Sequence, residues 1–350
     1  MRDLKYLLAY ILPLSALLAL LWRGPWAWST VVLAFGIIPL LELWTPQSTE
    51  NPAPEAEGSR SRHPLFDVLL YLNFPLLFAI VGGYLYLVQS RALSAAELLG
   101  LTLSTGIIVG TIGINVAHEL GHRSKDFEQA MSKWMLLTAL YQHFFIEHNR
   151  GHHKNVATGH DPATARFGES LFAFWPRSVT GSWRNAWRLE RERLQKTGRP
   201  FWSLHNEMLR FQVWQLLWLA AIGVLLGVKA LLGALLIALV GILLLETINY
   251  IEHYGLRRRL LPSGRPEPVT PAHSWNSNHE LGRIFLYELT RHSDHHYKAS
   301  RKYQVLRHLG ESPQLPFGYP TSVLLALVPP LWFRVMDSRV TPAPEGQRQA

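Results

Sequence analysis

The feature that most limits this chain is a set of six apolar, nearly charge-free runs, over residues 7–22, 26–43, 68–88, 98–116, 211–228 and 230–251. Each approaches or reaches the roughly 20 residues that a helix needs to cross a bilayer. In hydrocarbon the backbone must satisfy its own hydrogen bonds, so runs of this length span as helices. The expected fold is an all-α integral membrane protein with six transmembrane helices and a helical portion outside the bilayer. The opening Met1-Arg2-Asp3-Leu4-Lys5 resembles the start of a signal peptide. No small-residue cleavage site follows it, and a second apolar run comes at once, so the first helix is expected to be retained.

Trp22, Trp26, Trp28 and Trp44 lie at the ends of the first two runs, where interfacial aromatics belong. Residues 23–25 read as a hairpin turn, 45–64 as a solvated loop, 89–97 as a short turn, and Lys229 as a minimal turn between the last two runs. Six crossings put Arg23, Arg91 and Lys229 on one side and the other 31 of the 34 lysines and arginines on the opposite side. The positive-inside bias then places the N-terminus and the polar portion in the cytoplasm, which makes this an inner-membrane protein. The net charge of +9 is therefore an orientation signal, not an indication of nucleic acid. The chain has no cysteine. That excludes disulfides, thiolate zinc sites and cysteine-bound iron within it.

The chain divides into residues 1–116 (four spans and their loops), 117–210 (helices outside or along the membrane), 211–251 (two spans), 252–340 (a second polar portion) and 341–350 (a disordered tail). Residues 127–148 suit a re-entrant or interfacial helix. Residues 182–198, rich in Arg and Trp, suit a helix along the headgroups. Residues 324–336 are apolar but are interrupted by Pro329-Pro330.

Four histidine-bearing segments border these spans: His118-Glu119-Leu120-Gly121-His122, His148-Asn149-Arg150-Gly151-His152-His153, Glu252-His253 and His292-Ser293-Asp294-His295-His296. His118 and His122, His148 and His152, and His292 and His296 are spaced i, i+4, which stacks each pair on one helix face. His153 points about a quarter-turn from His152, so one segment is able to serve two metal centres. Neutral imidazole suits iron, zinc, copper or nickel. Nine such side chains are too many for one ion and about right for two. The other seven, His63, His143, His160, His205, His273, His279 and His308, lack this spacing and read as ordinary.

Each segment has a plainer explanation. HELGH by itself matches a zinc metalloprotease helix with Glu119 as base. A histidine-rich stretch also suits metal capture or transport. A transporter would carry ligating groups along its spans, and residues 68–88 and 98–116 hold almost none. A protease would leave seven ligand-like histidines unexplained.

Taken together, the segments resemble the histidine boxes of integral-membrane non-haem di-iron enzymes, the desaturase and hydroxylase superfamily. NYIEHYGL at 249–256 is similar to the extra motif of membrane alkane 1-monooxygenases, as are HELGHR, EHNRGHH, GHDPATAR, RHSDHHYKASRKYQ and the GYP…PPLW segment at 318–332. The likeness runs from about residue 67 to residue 340. It implies two iron ions held by His118, His122, His148, His152, His153, His253, His292, His295 and His296, with O2 as co-substrate. It further implies terminal hydroxylation of an n-alkane drawn from the bilayer, with electrons from a rubredoxin and its NAD(P)H-dependent reductase. The nearest alternative within the superfamily is an acyl-chain desaturase or hydroxylase.

Some polar groups should orient the imidazoles through their other ring nitrogen. Glu246 and Asn249 are the strongest candidates, because ionisable groups at the end of an apolar span are costly. Asp161 and Glu280 are further candidates, beside Glu119, Glu147, Glu252 and Asp294. Gly82, Gly83, Gly106, Gly110 and Gly113 either make room for a slender ligand or allow close helix packing. Arg257 to Arg259, Lys298, Arg301, Lys302 and the 182–199 stretch are candidates for steering an acidic rubredoxin or for binding anionic lipid.

Overall fold

The computed structural model describes residues 2–340, so the expected tail at 341–350 lies outside the described residues. Six helices among these residues are long and apolar enough to cross a membrane: Asp3–Trp22, Gly24–Glu42, Pro64–Ser90, Ala95–Gly121, Glu207–Leu225 and Val228–His253. They are called spans 1 to 6 below. Each contains most of the corresponding apolar run. No strand longer than an isolated bridge occurs among the described residues. The chain is an all-α membrane protein.

The turns follow from local chemistry. Spans 1 and 2 reverse at Arg23 and Gly24, both with positive φ (53° and 50°). Span 4 starts with a capping box in which Ser94 and Glu97 satisfy each other's backbone N–H groups. Glu97 also accepts from Gly24 N at 3.0 Å, which ties this end to the first hairpin. Spans 5 and 6 reverse at Gly227 (φ 100°), so Lys229 lies in the first turn of span 6 and not in the turn itself. The positive φ favours glycine here, and a Cβ at Gly227 would also displace the end of the Gln89 side chain, 2.9 Å away.

Span 4 is the central helix. Of its apolar window 83% is buried, against 17% for span 5 at the periphery. Its glycines serve helix packing: a Cβ at Gly106 would lie 2.5 Å from Val240, and one at Gly110 would lie 2.9 Å from Leu244. The small residues thus bring the backbones of spans 4 and 6 together. A Cβ at Gly82 would meet nothing within 4 Å, so that glycine has no such role.

The polar portion departs from the expected layout in places. The 45–64 stretch is not all loop, because Pro54–Arg62 forms a helix. That helix is held to the third histidine segment's surroundings through Arg60 to Gln304 O (2.7 Å) and Arg301 to Glu57 (2.7 Å). The 127–148 stretch is two helices, Asp126–Thr138 and His143–Glu147, broken where Leu140 takes positive φ. The Arg/Trp-rich helix is longer than expected, Leu171–Lys196. The 324–336 stretch belongs to two short helices, Tyr319–Ala326 and Pro329–Met336.

Candidate metal centre

Span 4 is 27 residues long, about 40 Å at 1.5 Å per residue, and outruns a hydrocarbon core of about 30 Å. Its last turn therefore emerges carrying His118, with His122 as the C-cap residue. A π-helical turn at Val109–Ile114 precedes that turn. Span 6 likewise runs on to His253, its final residue. The third segment is the short helix His292–Tyr297. Asn276 fixes its start by accepting from Ser293 N (2.9 Å) and donating to Ser293 Oγ (2.7 Å). Asp294, facing the other way, accepts from Arg307 N and the Arg307 guanidinium, both at 2.9 Å.

The nine histidines gather into two groups able to hold a metal ion. One comprises His118, His122, His148, His153 and His295; the other comprises His152, His253, His292 and His296. Within each group the candidate donor atoms all lie within 4.8 Å of one another. One i, i+4 expectation fails instructively. His148 and His152 belong to different groups because His148–His152 is wound as a π-helix. The wider turn brings residues five apart together, and His148 and His153 Nε2 atoms are 3.0 Å apart. His118 and His122 share one group and His292 and His296 share the other, on ordinary α-helical turns. Gly151 makes the wide turn fit, since a Cβ there would lie 2.6 Å from Glu147 Oε1 and 2.7 Å from Asn185 Nδ2.

The donor set suits cations. Burial holds His148, His153, His292, His295 and His296 well below the ordinary imidazole range, and the neighbouring imidazoles add to it. Their Nε2 atoms nevertheless face one another: His295 to His153 at 3.1 Å, His296 to His292 at 2.9 Å, His292 to His253 at 3.2 Å. Metal–imidazole bonds of about 2.0–2.1 Å put adjacent donors about 3 Å apart. Lone pairs crowded this way repel unless a cation sits among them. His152 supplies the clearest sign. Its Nδ1 meets Asp161 Oδ2 at 2.9 Å, and its buried Nε2 has no hydrogen-bond partner among the described residues.

The polar groups expected nearby divide sharply. Asp161 reaches a histidine directly and is itself fixed by Thr164 Oγ1 (2.6 Å) and Ala163 N (3.1 Å). Burial opposes the charge on this pair, but each partner stabilises the other, so His152 is pushed up and Asp161 down. Glu246 accepts from Tyr141 OH at 2.7 Å and from Asn249 Nδ2 at 3.3 Å, without a hydrogen bond to a histidine. Glu280 does not join the site: it pairs with Lys5 at 2.8 Å, on a partly exposed face. Glu119 pairs with Arg123 (2.7 Å), and Glu147 accepts from Asn185 (2.9 Å). Glu252 lies 3.2 Å from His292 Nε2 and accepts from Tyr319 OH at 2.9 Å. Sequence reasoning missed Tyr141 and Phe144, which stacks on His148 at 4.8 Å, and gave no role to Thr164 and Tyr319 although both lie in motifs it singled out. None carries a spacing signal, because each arrives from a different element.

An apolar cavity of about 90 Å³ runs among spans 1, 2, 4 and 6. Leu12, Phe35, Ile38, Ile107, Leu244 and Ile248 wall it, and Gly110 opens one side. His118, His148 and His292 close one end together with Asn115, Asn249, Glu252 and Tyr319. Histidines of both groups therefore face the same narrow space.

Comparison with known proteins agrees with this layout. The family model described as fatty acid desaturase matches residues 93–324. Alkane 1-monooxygenase 1 of Pseudomonas aeruginosa is 42% identical over 90% of this chain and 83% of its own length. Alkane 1-monooxygenase 1 of Alcanivorax borkumensis is 38% identical over 96% of this chain and 84% of its own. The hydroxylase component of the xylene/toluene monooxygenase of Pseudomonas putida is 29% identical over 96% and 88%.

Proposed function

We infer what the site does from the premise that the chain belongs to the fatty acid desaturase family and, within it, to the alkane 1-monooxygenases. It is a membrane oxidoreductase that hydroxylates n-alkanes at the terminal carbon. The observation that carries this reading is the apolar cavity ending on histidines of both groups. An alkane has no polar handle, so only the shape of an apolar channel can select its end. The nine histidines are the proposed iron ligands, five on one ion and four on the other. When bound, the two irons supply O2 activation and the insertion of one oxygen atom into a C–H bond.

The chain's own residues do the rest. Leu12, Phe35, Ile107 and Ile248 exclude water and hold the methylene chain straight. Asn115, Asn249, Glu252 and Tyr319 are the polar groups that line the cavity beside the histidines, available to hydrogen-bond the new hydroxyl. Asp161 holds the Nδ1–H of His152 and so leaves Nε2 free to ligate. One oxygen atom enters the alcohol and the other leaves as water, so each turnover consumes two electrons and two protons. Because the chain lacks cysteine, those electrons come from a separate protein, which we assign as a rubredoxin reduced by an NAD(P)H-dependent reductase. The strong bias of basic residues supports a site on the cytoplasmic face of the inner membrane.

Purified iron-loaded protein in nanodiscs, given octane, rubredoxin, reductase, NADH and O2, is expected to yield 1-octanol by gas chromatography. The product should disappear when rubredoxin or O2 is omitted. His253→Ala should lower bound iron and abolish turnover. Tight zinc in place of iron, with no alcohol formed, would sink the assignment; products from acyl chains alone would move it to the desaturases and hydroxylases.

A further inference from the structure

The basic residues that the sequence offers as a docking face do not stay together in the fold. Arg301 is buried between Glu57 and Asp294, Lys302 is spent on Asp67, and Arg259 pairs with Glu267. The 182–199 stretch is the part that keeps its role: its Arg184 and Arg188 join other basic residues between helix Leu171–Lys196 and the 150–166 segment. A polar groove there is lined by Arg150, Lys154, Arg166, Arg177, Arg184 and Arg188, against two carboxylates, Asp161 and Glu192. Lys154, Arg166 and Arg184 are exposed and have no carboxylate partner among the described residues. The helix forming one wall is two-sided. Arg177, Gly181, Arg184 and Arg188 face the groove, while Phe172 and Trp183 are exposed away from it, as headgroup-facing aromatics would be.

The floor of the groove gives it a purpose. Asp161 lines the groove and is the same carboxylate that holds His152 Nδ1 at 2.9 Å. One side chain therefore separates this basic surface from the four-histidine group. No side chain of the five-histidine group hydrogen-bonds a residue lining the groove among the described residues, whereas His152 of the four-histidine group does.

We propose that the groove bounded by Lys154, Arg166 and Arg184 is the docking surface for an acidic one-electron carrier protein, which delivers electrons on the Asp161–His152 side of the site. This rests on the electron-donor reading above. The unpaired cations steer the carrier to the groove. Each docked carrier is oxidised by one electron, so two encounters supply one turnover. Charge complementarity selects a folded acidic protein over a lipid surface, because the cations line the groove while the aromatic side of the same helix is free to face the headgroups.

The test measures binding apart from chemistry. Zinc-substituted rubredoxin, which is redox-inert, is titrated onto the full-length protein in nanodiscs of neutral lipid, and Kd is read by surface plasmon resonance at several salt concentrations. Lys154→Glu and Arg184→Glu should each raise Kd about tenfold and flatten its salt dependence. Arg91→Glu, on the far side of the membrane, should change nothing, and iron content should stay at the wild-type value in all three. Unchanged Kd in both groove variants overturns the proposal, as does a variant that loses affinity only for nanodiscs or vesicles of anionic lipid. A carrier that binds the wild type and is lost from the variants, in protein that makes no octanol, keeps the docking surface and removes the alkane reading. Octanol formation with indifferent groove variants does the reverse.

Discussion

Replacing Asp161 by Asn changes little in shape and reverses the two hydrogen bonds made at Oδ2, of which the one from Thr164 is restored by rotation of its hydroxyl. In the native site Asp161 Oδ1 accepts from Ala163 N, and Oδ2 accepts from both Thr164 Oγ1 and the His152 ring. A carboxylate accepts only, so His152 must carry its proton on Nδ1 and present a lone pair at Nε2. Asn keeps the bond from Ala163 N but places an NH2 group against His152 Nδ1. The ring can meet that donor only by becoming the acceptor, which moves its proton to Nε2 and blocks ligation. Removing such an orienting partner typically lowers metal affinity by about 10–100-fold, or ~1.4–2.7 kcal/mol at 1.36 kcal/mol per decade. The loss should fall on one ion, because His152 belongs only to the four-histidine group. Iron counted after graded chelator dialysis should therefore fall from about two per chain towards one at a chelator strength the wild type resists. Two irons held as tightly as in the wild type would refute the tautomer argument. Loss of both together would refute the independence of the two groups.

Three further outcomes follow. Burial pushes His143, which lies outside both histidine groups, down to about 3 from the ordinary value. The unfolded chain takes up a proton near pH ~6.5, so stability is full above that and is lost as pH falls, by ~2 kcal/mol from this residue alone at pH ~5; His143→Gln should flatten the denaturation profile of metal-free protein over pH ~6.5 to ~3. Gly106→Ala should destabilise the protein by the ~1–3 kcal/mol of an overpacked contact and so lower its melting temperature, since its Cβ would lie 2.5 Å from Val240. Gly82→Ala, which meets nothing within 4 Å, should leave it unchanged, and equal melting curves would refute the packing role of span 4.

Hydropathy alone was enough to place six spans and the histidine-bearing segments that border them, because the cost of an unsatisfied backbone in lipid leaves so few choices. Residue spacing marked eight of the nine histidines, since i, i+4 repeats and adjacent pairs of one residue type are visible without coordinates; His253 is alone in its segment and was marked by the resemblance of NYIEHYGL. What sequence reasoning assigned wrongly was local. Pro54–Arg62 is polar throughout and has no periodic apolar face, so nothing distinguished it from a loop. Glu280 was a candidate only by chain proximity, and the fold turns it to Lys5.

The division of the nine histidines was legible only in part: the angular spread separates His152 from His153 and His295 from His296, as the two groups do, but not His148 from His152. Helical angles assigned at 100° per residue pair His148 with His152, whereas the π-turn pairs His148 with His153. A one-residue change of winding cannot be read from spacing, because it is decided by what the turn packs against, here Glu147, Asn185 and Leu189 around Gly151. The same holds for charge. Sequence counts cations, but only the tertiary structure decides which of them are spent on carboxylates, as Arg301 and Lys302 are, and which have no carboxylate partner among the described residues, as with Lys154 and Arg184. Composition and periodicity are properties of a segment, so the sequence by itself determined the membrane fold and nominated the histidines that the fold gathers. Grouping, orientation and free charge are properties of contacts between segments, and they exist only once the chain has folded.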